Sequence, residues 1–286
     1  VIGEPIDSEK IIKKIPSLIK SQKNERLAWT KAADAIRTTD TYSKYHSEIV
    51  SSKDSLFING IAKGSGMIQP NMATMLSFIF TNTDILNKKV ELGFKEIIKK
   101  TFNSISVDGD TSTSDMVLLF SVSNKKLVVK SKELQKRFLE KLELLMTTLS
   151  HLIVKDGEGA SKFITVEVVE AKNDEDARKV ARSIINSPLI KTAMAGSDSN
   201  WGRIIMAIGK SDAQILPEKI SLSFGKYLIL DKGKKFISKN ALKINKYLKK
   251  SEIKIKISLG LGRGNSKMWT CDLTKDYISI NADYRS

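Results

Sequence analysis

Cysteine is almost absent from this 286-residue chain, and the single one, Cys271, excludes an internal disulfide. Histidine is nearly as scarce: His46 and His151 supply no convincing metal-ligand cluster, so a metal site is not expected. No apolar run approaches the roughly 18 residues that cross a bilayer. The opening Val1-Ile2-Gly3-Glu4-Pro5 lacks the basic region and apolar stretch of a signal peptide, so the expectation is a cytoplasmic protein with no membrane partner. Aromatic residues are only 7% of the chain, which bears on its net charge of +16. The excess is mostly lysine in short scattered groups such as Lys99-Lys100 and Lys234-Lys235. Without interleaved aromatics for base stacking, it reads as a solvated surface rather than a nucleic-acid footprint. A starting methionine is also missing, and Val1 leads us to expect a processed or N-terminally incomplete chain. What is present, 41% hydrophobic residues, suffices for one large core or two modest ones.

Periodicity divides the chain into helices and strands. Ser8 is expected to cap a helix with Ile11, Ile12, Ile15, Leu18 and Ile19 at helical spacing, kinked or ended by Pro16. A helical stretch around Leu27 to Ile36 leads into the polar loop Thr38-Thr39-Asp40-Thr41. Phe57 to Ala62 reads as a short strand, Lys63-Gly64-Ser65-Gly66 as a flexible turn, and Thr74 to Thr81 as a buried strand. Further on, Glu91 to Phe102 is predicted helical, Met116 to Val122 a buried strand, and Lys132 to Val154 a long amphipathic helix ended near Gly157. Ile164, Val166 and Val168 alternate as in a strand, Asp174 to Asn186 reads as a helix, and Trp201 to Ile208 as a strand. Ile253, Ile255 and Ile257 alternate with lysines in a half-exposed strand. The mixture predicts an α/β or α+β layered sandwich.

Three segments are too specific in residue type to serve packing alone. They are Lys63-Gly64-Ser65-Gly66-Met67-Ile68-Gln69-Pro70-Asn71-Met72-Ala73-Thr74, then Val107-Asp108-Gly109-Asp110-Thr111-Ser112-Thr113-Ser114-Asp115, then Gly196-Ser197-Asp198-Ser199-Asn200-Trp201-Gly202-Arg203. The second superficially follows a calcium loop, but the closing liganding glutamate is absent, and a turn held by side-chain to backbone bonds is the better reading. Gly64 and Gly66 precede no Gly-Lys-Ser/Thr ending, so a nucleotide loop is not expected. Gly260-Leu261-Gly262-Arg263-Gly264 comes late, with no helix after it, and reads as a turn between strands.

Together with Asp156-Gly157-Glu158-Gly159-Ala160, Trp269-Thr270-Cys271-Asp272-Leu273 and Ile280-Asn281-Ala282-Asp283-Tyr284, these motifs resemble the ornithine acetyltransferase family, the bifunctional glutamate N-acetyltransferases of arginine biosynthesis. The resemblance implies the layered, autoprocessed fold shared with DmpA-like proteins. It also implies self-cleavage between Ala73 and Thr74, giving residues 1–73 as the end of an alpha chain and 74–286 as a beta chain, two of each in a heterotetramer. Thr74 would be the nucleophile, N-acetylornithine and glutamate the substrates, and acetyl-coenzyme A a further donor in some relatives. Substrate contacts are implied for Thr38, Lys63, Thr74, Glu158, Asn281 and Ser286. The oxyanion hole is implied to be a Thr-Gly pair that would stand before Val1, and loss of such donors costs on the order of a hundredfold in turnover.

The chemistry of these residues suits the assignment. A threonine hydroxyl is a weak nucleophile, but at an N-terminus its own α-amino group, with a reference pKa of about 8, serves as a local base. The β-branch limits the relative orientations of hydroxyl and amine. A cationic Lys63 with hydroxyls of Thr38 and Ser286 suits a carboxylate, and Glu158 suits the distal ammonium of ornithine. Two rivals remain on sequence alone besides an inactive fragment: an amidase using the same Thr74 with water as acceptor, and a basic nucleic-acid-binding protein.

Overall fold

The computed structural model describes residues 5–23, 25–69, 75–84, 87–122, 131–236 and 241–283. In chain order the elements are α1 (Ser8–Lys20), α2 (Arg26–Ala35), β1 (Lys44–Ser51), β2 (Leu56–Lys63), β3 (Leu76–Thr81), α3 (Lys88–Lys100), β4 (Ile105–Ser106), β5 (Met116–Ser121) and α4 (Lys132–Lys155). There follow β6 (Phe163–Ala171), α5 (Asp174–Ile185), α6 (Pro188–Ala195), α7 (Trp201–Gly209), β7 (Ser221–Phe224), β8 (Tyr227–Asp231), β9 (Lys234–Lys235), α8 (Ala241–Leu248), β10 (Glu252–Ser258), β11 (Gly264–Cys271) and α9 (Lys275–Asp283). Polar caps fix the starts of the central helices. Asn87, Ser131 and Asn173 each accept the backbone N–H three residues on, opening α3, α4 and α5.

The strands form two sheets. The smaller, in order β1-β2-β3-β5, is antiparallel except for the parallel pair β3 and β5; the larger runs β4-β11-β6-β10-β7-β8-β9 with β6 and β10 parallel. Helix α4 lies on the inner face of the small sheet, so close that a Cβ on Gly60 would stand 2.8 Å from Leu145. Helices α5, α6 and α7 bury Val180, Ile190 and Ile204 with Ile164, Val166 and Val168 of the large sheet. This is the α/β layered arrangement that the alternation of patterns predicts.

Three local expectations are corrected. Pro16 does not end the first helix, which continues to Lys20, and its cap is Asp7 rather than Ser8. Residues 201–208 form a helix, not a strand: Ile204, Ala207 and Ile208 are its buried positions, the spacing of one helical face. The strand beginning at Met116 is not buried. It lies at the edge of the small sheet, and Met116 and Phe120 are exposed on the face away from α4, beside Tyr45, Ile49 and Phe57. Trp29 of α2 reaches over part of that face, its ring centroid 5.3 Å from that of Phe80 in an edge-to-face arrangement. The half-exposed strand expected around Ile253 is found as β10, whose buried Ile253, Ile255 and Ile257 alternate with the more exposed Lys254 and Lys256.

Candidate active site

The small sheet delivers Lys63 at the end of β2, opposite Leu76 at the start of β3, which in turn pairs with Met116 of β5. The turn that leaves this end, Lys63 to Ile68, is held from below by a buried charge cluster. Asp40 and Lys44 have fully buried side chains 2.6 Å apart. Asp40 also accepts the Gly64 N–H at 2.7 Å and the Thr38 N–H at 3.2 Å. Burial pushes its carboxyl up, but these bonds together with Lys44 outweigh that and hold it below the usual range. Lys44 bonds a second carboxylate, Asp156, which also takes the N–H and hydroxyl of Thr41 and whose carbonyl accepts the Ser65 hydroxyl. Burial and the neighbouring Asp156 and Asp40 push the Tyr42 phenol up to about 12, so its hydroxyl stays a donor, to Leu152 O at 2.9 Å.

On this support the implied contact residues fall into two pairs. Lys63 Nζ donates to Thr38 Oγ1 at 3.2 Å. Glu158 Oε2 accepts from Asn281 Nδ2 at 2.7 Å, and the Glu158 N–H bonds Ser65 O at 3.1 Å. Gly66 lies against that carboxylate: an added Cβ would sit 2.4 Å from its carbon and both oxygens. Asn281 comes from α9, which approaches so near that a side chain on Gly159 (φ +67°) would stand 2.5 Å from the Tyr277 nitrogen. Ala73, Thr74 and Ser286 lie outside the described residues.

The Asp108-to-Asp115 segment is a turn built on backbone hydrogen bonds, as its spacing suggests. Asp108 accepts the N–H groups of Met67 and Ile68 at 2.6 and 2.9 Å and that of Asp110 at 3.2 Å; Thr111 Oγ1 donates to Gln69 O at 3.0 Å. Tyr277 points its hydroxyl at Asp108 (3.3 Å), and burial followed by that carboxylate pushes the phenol well up. At the far end Asp115 Oδ1 accepts the Met75 N–H. Burial pushes Asp115 up to about 7 against the opposing Met75 bond and the charge of Lys63. One segment therefore grips both flanks of the stretch that contains Ala73 and Thr74. Arg203, by contrast, ties α7 to α6 through Leu189 O, and the glycines at 260–264 form the turn from β10 to β11.

Sequence reasoning missed the roles of Asp40, Asp156 and Asp115, although each lies inside a quoted motif beside a residue of interest. Lys44 gives no signal at all, because a lysine at the start of a strand is ordinarily solvated.

The structure thus defines a layered α/β protein in which a lysine–threonine pair, Lys63 with Thr38, and a glutamate–asparagine pair, Glu158 with Asn281, stand around the glycine-containing turn that leaves β2. The whole chain, residues 1–286, matches the ArgJ family, and the protein belongs to that family. Among its relatives are proteins called arginine biosynthesis bifunctional protein ArgJ from Bartonella henselae (40% identical over 290 residues) and Ruegeria pomeroyi (45% over 289). Each alignment covers all of this chain and 70% and 69%, respectively, of the relative. A crystal structure of the protein of that name from Bacillus halodurans is similar with a TM-score of 0.68 and 40% identity, covering 74% of this chain and 100% of its own.

Proposed function

We propose that this protein is an acetyltransferase of arginine biosynthesis that moves the acetyl group of N-acetylornithine to glutamate through an ester on Thr74. The observation that carries the reading is the pairing of Thr38 with Lys63, at the start of the turn after β2, and of Asn281 with Glu158, which lies against Ser65 and Gly66 of that turn, each pair of a polarity that one end of N-acetylornithine requires. Lys63 and Thr38 take the α-carboxylate, joined by the Ser286 hydroxyl, and Glu158, oriented by Asn281, takes the distal ammonium.

Maturation precedes turnover. The Thr74 hydroxyl attacks the Ala73 carbonyl, the peptide C–N bond gives way to an ester, and water releases the Ala73 carboxylate and a free α-amine on Thr74. In turnover that amine takes the hydroxyl proton as Oγ attacks the acetyl carbonyl, and the proton passes to the departing amine of ornithine. The amine of glutamate then attacks the ester, its proton returning to Oγ as N-acetylglutamate leaves. No metal or organic cofactor enters this scheme; acetyl-coenzyme A would be an alternative acyl donor. The piece that begins at Thr74 makes up three quarters of the chain, a size in keeping with the 74% covered by the Bacillus chain. The processed pieces would stay together, two of each, in a heterotetramer.

Intact mass after incubation with N-acetylornithine tests the proposal: two fragments divided at Ala73–Thr74 are expected, the second one acetyl group heavier, and added glutamate removes that mass as N-acetylglutamate appears. A Thr74→Ala protein that is still cleaved and still transfers acetyl groups overturns it.

A further inference from the structure

Thr74 joins β3 through the Thr74–Met75 peptide, and Met75 is held by both of its backbone polar groups. Its N–H donates to Asp115 Oδ1, its carbonyl accepts the Met116 N–H at 2.9 Å, and its side chain is buried. The second oxygen of Asp115 is buried with no hydrogen-bond partner among the described residues. A neutral asparagine would accept the same N–H without placing a carboxylate in a site that resists its ionisation, so the amide bond alone does not account for an aspartate here. The Asp115 side chain borders a cavity of about 170 Å³ with Met75, Ile98, Phe102, Asn103, Met116 and Val117. None of those side chains titrates; the charged group that acts on Asp115 is Lys63 on β2.

We propose that Asp115 is a positioning residue for Thr74, fixing the Thr74–Met75 peptide with one oxygen and orienting the α-amine that cleavage leaves on Thr74 with the other. The inference rests on the acetyl-transfer reading above. The amine nitrogen is three covalent bonds from the Met75 nitrogen, hence only about 3 Å from the atom Asp115 already holds. An N–H of the neutral amine donated to Oδ2 turns the nitrogen lone pair toward the hydroxyl, as a base is aimed by a third group in other nucleophile–base pairs. Before cleavage burial raises Asp115 to about 7; the α-ammonium that cleavage creates beside it favours the carboxylate, and the carboxylate in turn raises the amine above its ordinary value of about 8.

The test follows acetylation of Thr74 by N-acetylornithine, read by intact mass between pH 5 and 9, in the wild type and in Asp115→Asn. In the wild type the logarithm of the rate should climb with a slope of one on the acid side of the amine's titration. In Asp115→Asn, which keeps an acceptor for Met75 but removes the carboxylate's charge and turns the second oxygen into a donor, the midpoint of that climb should move to lower pH. Turnover should drop roughly tenfold to a hundredfold, the scale of a misaligned reacting group, with KM within twofold. A pH midpoint unmoved in Asp115→Asn, or Asp115→Asn turnover equal to wild type, overturns the inference and leaves the transferase reading standing. Absence of acetyl on Thr74 in the wild type overturns both.

Discussion

The two halves of the molecule are held together by different physics. The large sheet buries Ile164, Val166, Val168, Ile253, Ile255 and Ile257 against α5 to α7 in an extended apolar core, and the buried Lys191 of α6 bonds Thr270 Oγ1 on β11. The Lys63 end of the small sheet is held by Lys44, Asp40 and Asp156 in full burial, and by carboxylates gripping backbone N–H groups from residues 24 to 115 positions away. An apolar core tolerates small errors of shape, because its attraction is non-directional. A buried polar network is directional and costly when incomplete, and it fixes a turn in one geometry, which is what a site for one small molecule requires.

Removing one partner of that network separates the two kinds of construction most sharply. Lys44→Met leaves Asp40 and Asp156 buried without their cation, and the expected loss is about 3–5 kcal/mol in urea denaturation, with the Thr38 and Gly64 backbone released. A smaller and more local effect is expected from Gly66→Ala. The new methyl displaces the Glu158 carboxylate from its 2.7 Å bond with Asn281, so KM for N-acetylornithine should rise about tenfold, or about 1.4 kcal/mol, with the melting temperature almost unchanged. The apolar half should give the opposite pattern. Ile255→Val is expected to cost about 0.5–1.5 kcal/mol of stability and to leave acetyl transfer per folded molecule as it was.

The same contrast explains what could be read from the chain. Alternation at 164–168 and 253–257 exposes the large sheet, because burial on one face imposes a period of two. The Trp201 segment misleads because a short apolar run has no clear period; the helical spacing of Ile204, Ala207 and Ile208 decides it only once packing is known. In the site, Thr38, Lys63, Glu158 and Asn281 were marked by their motifs, but their pairing spans 25 and 123 residues, a distance no local pattern encodes. Asp115 looked like one more turn residue. Its bond to Met75 crosses 40 residues and depends on β3 and β5 lying side by side.

The seam between the halves offers the mildest and most specific test. His151 of α4 lies between Phe163 and Trp269 of the large sheet, ring centroids 5.0 and 4.6 Å away, and its Nε2 is buried without a hydrogen-bond partner among the described residues. Burial, then the charges of Lys155 and Lys267, lowers its pKa to about 4 despite the opposing Glu252. The unfolded chain binds a proton there near pH 6.5 and the folded one only near 4. Stability contributed by the neutral ring is therefore complete above pH 6.5, declines as pH falls toward 4, and changes no further below. His151→Phe keeps the ring stacking and removes the titration, so its urea midpoint should fall less than that of the wild type between pH 7 and 4. Equal slopes for the two proteins would mean that the ring is already solvated and that α4 seals the seam less tightly than the aromatic contacts indicate.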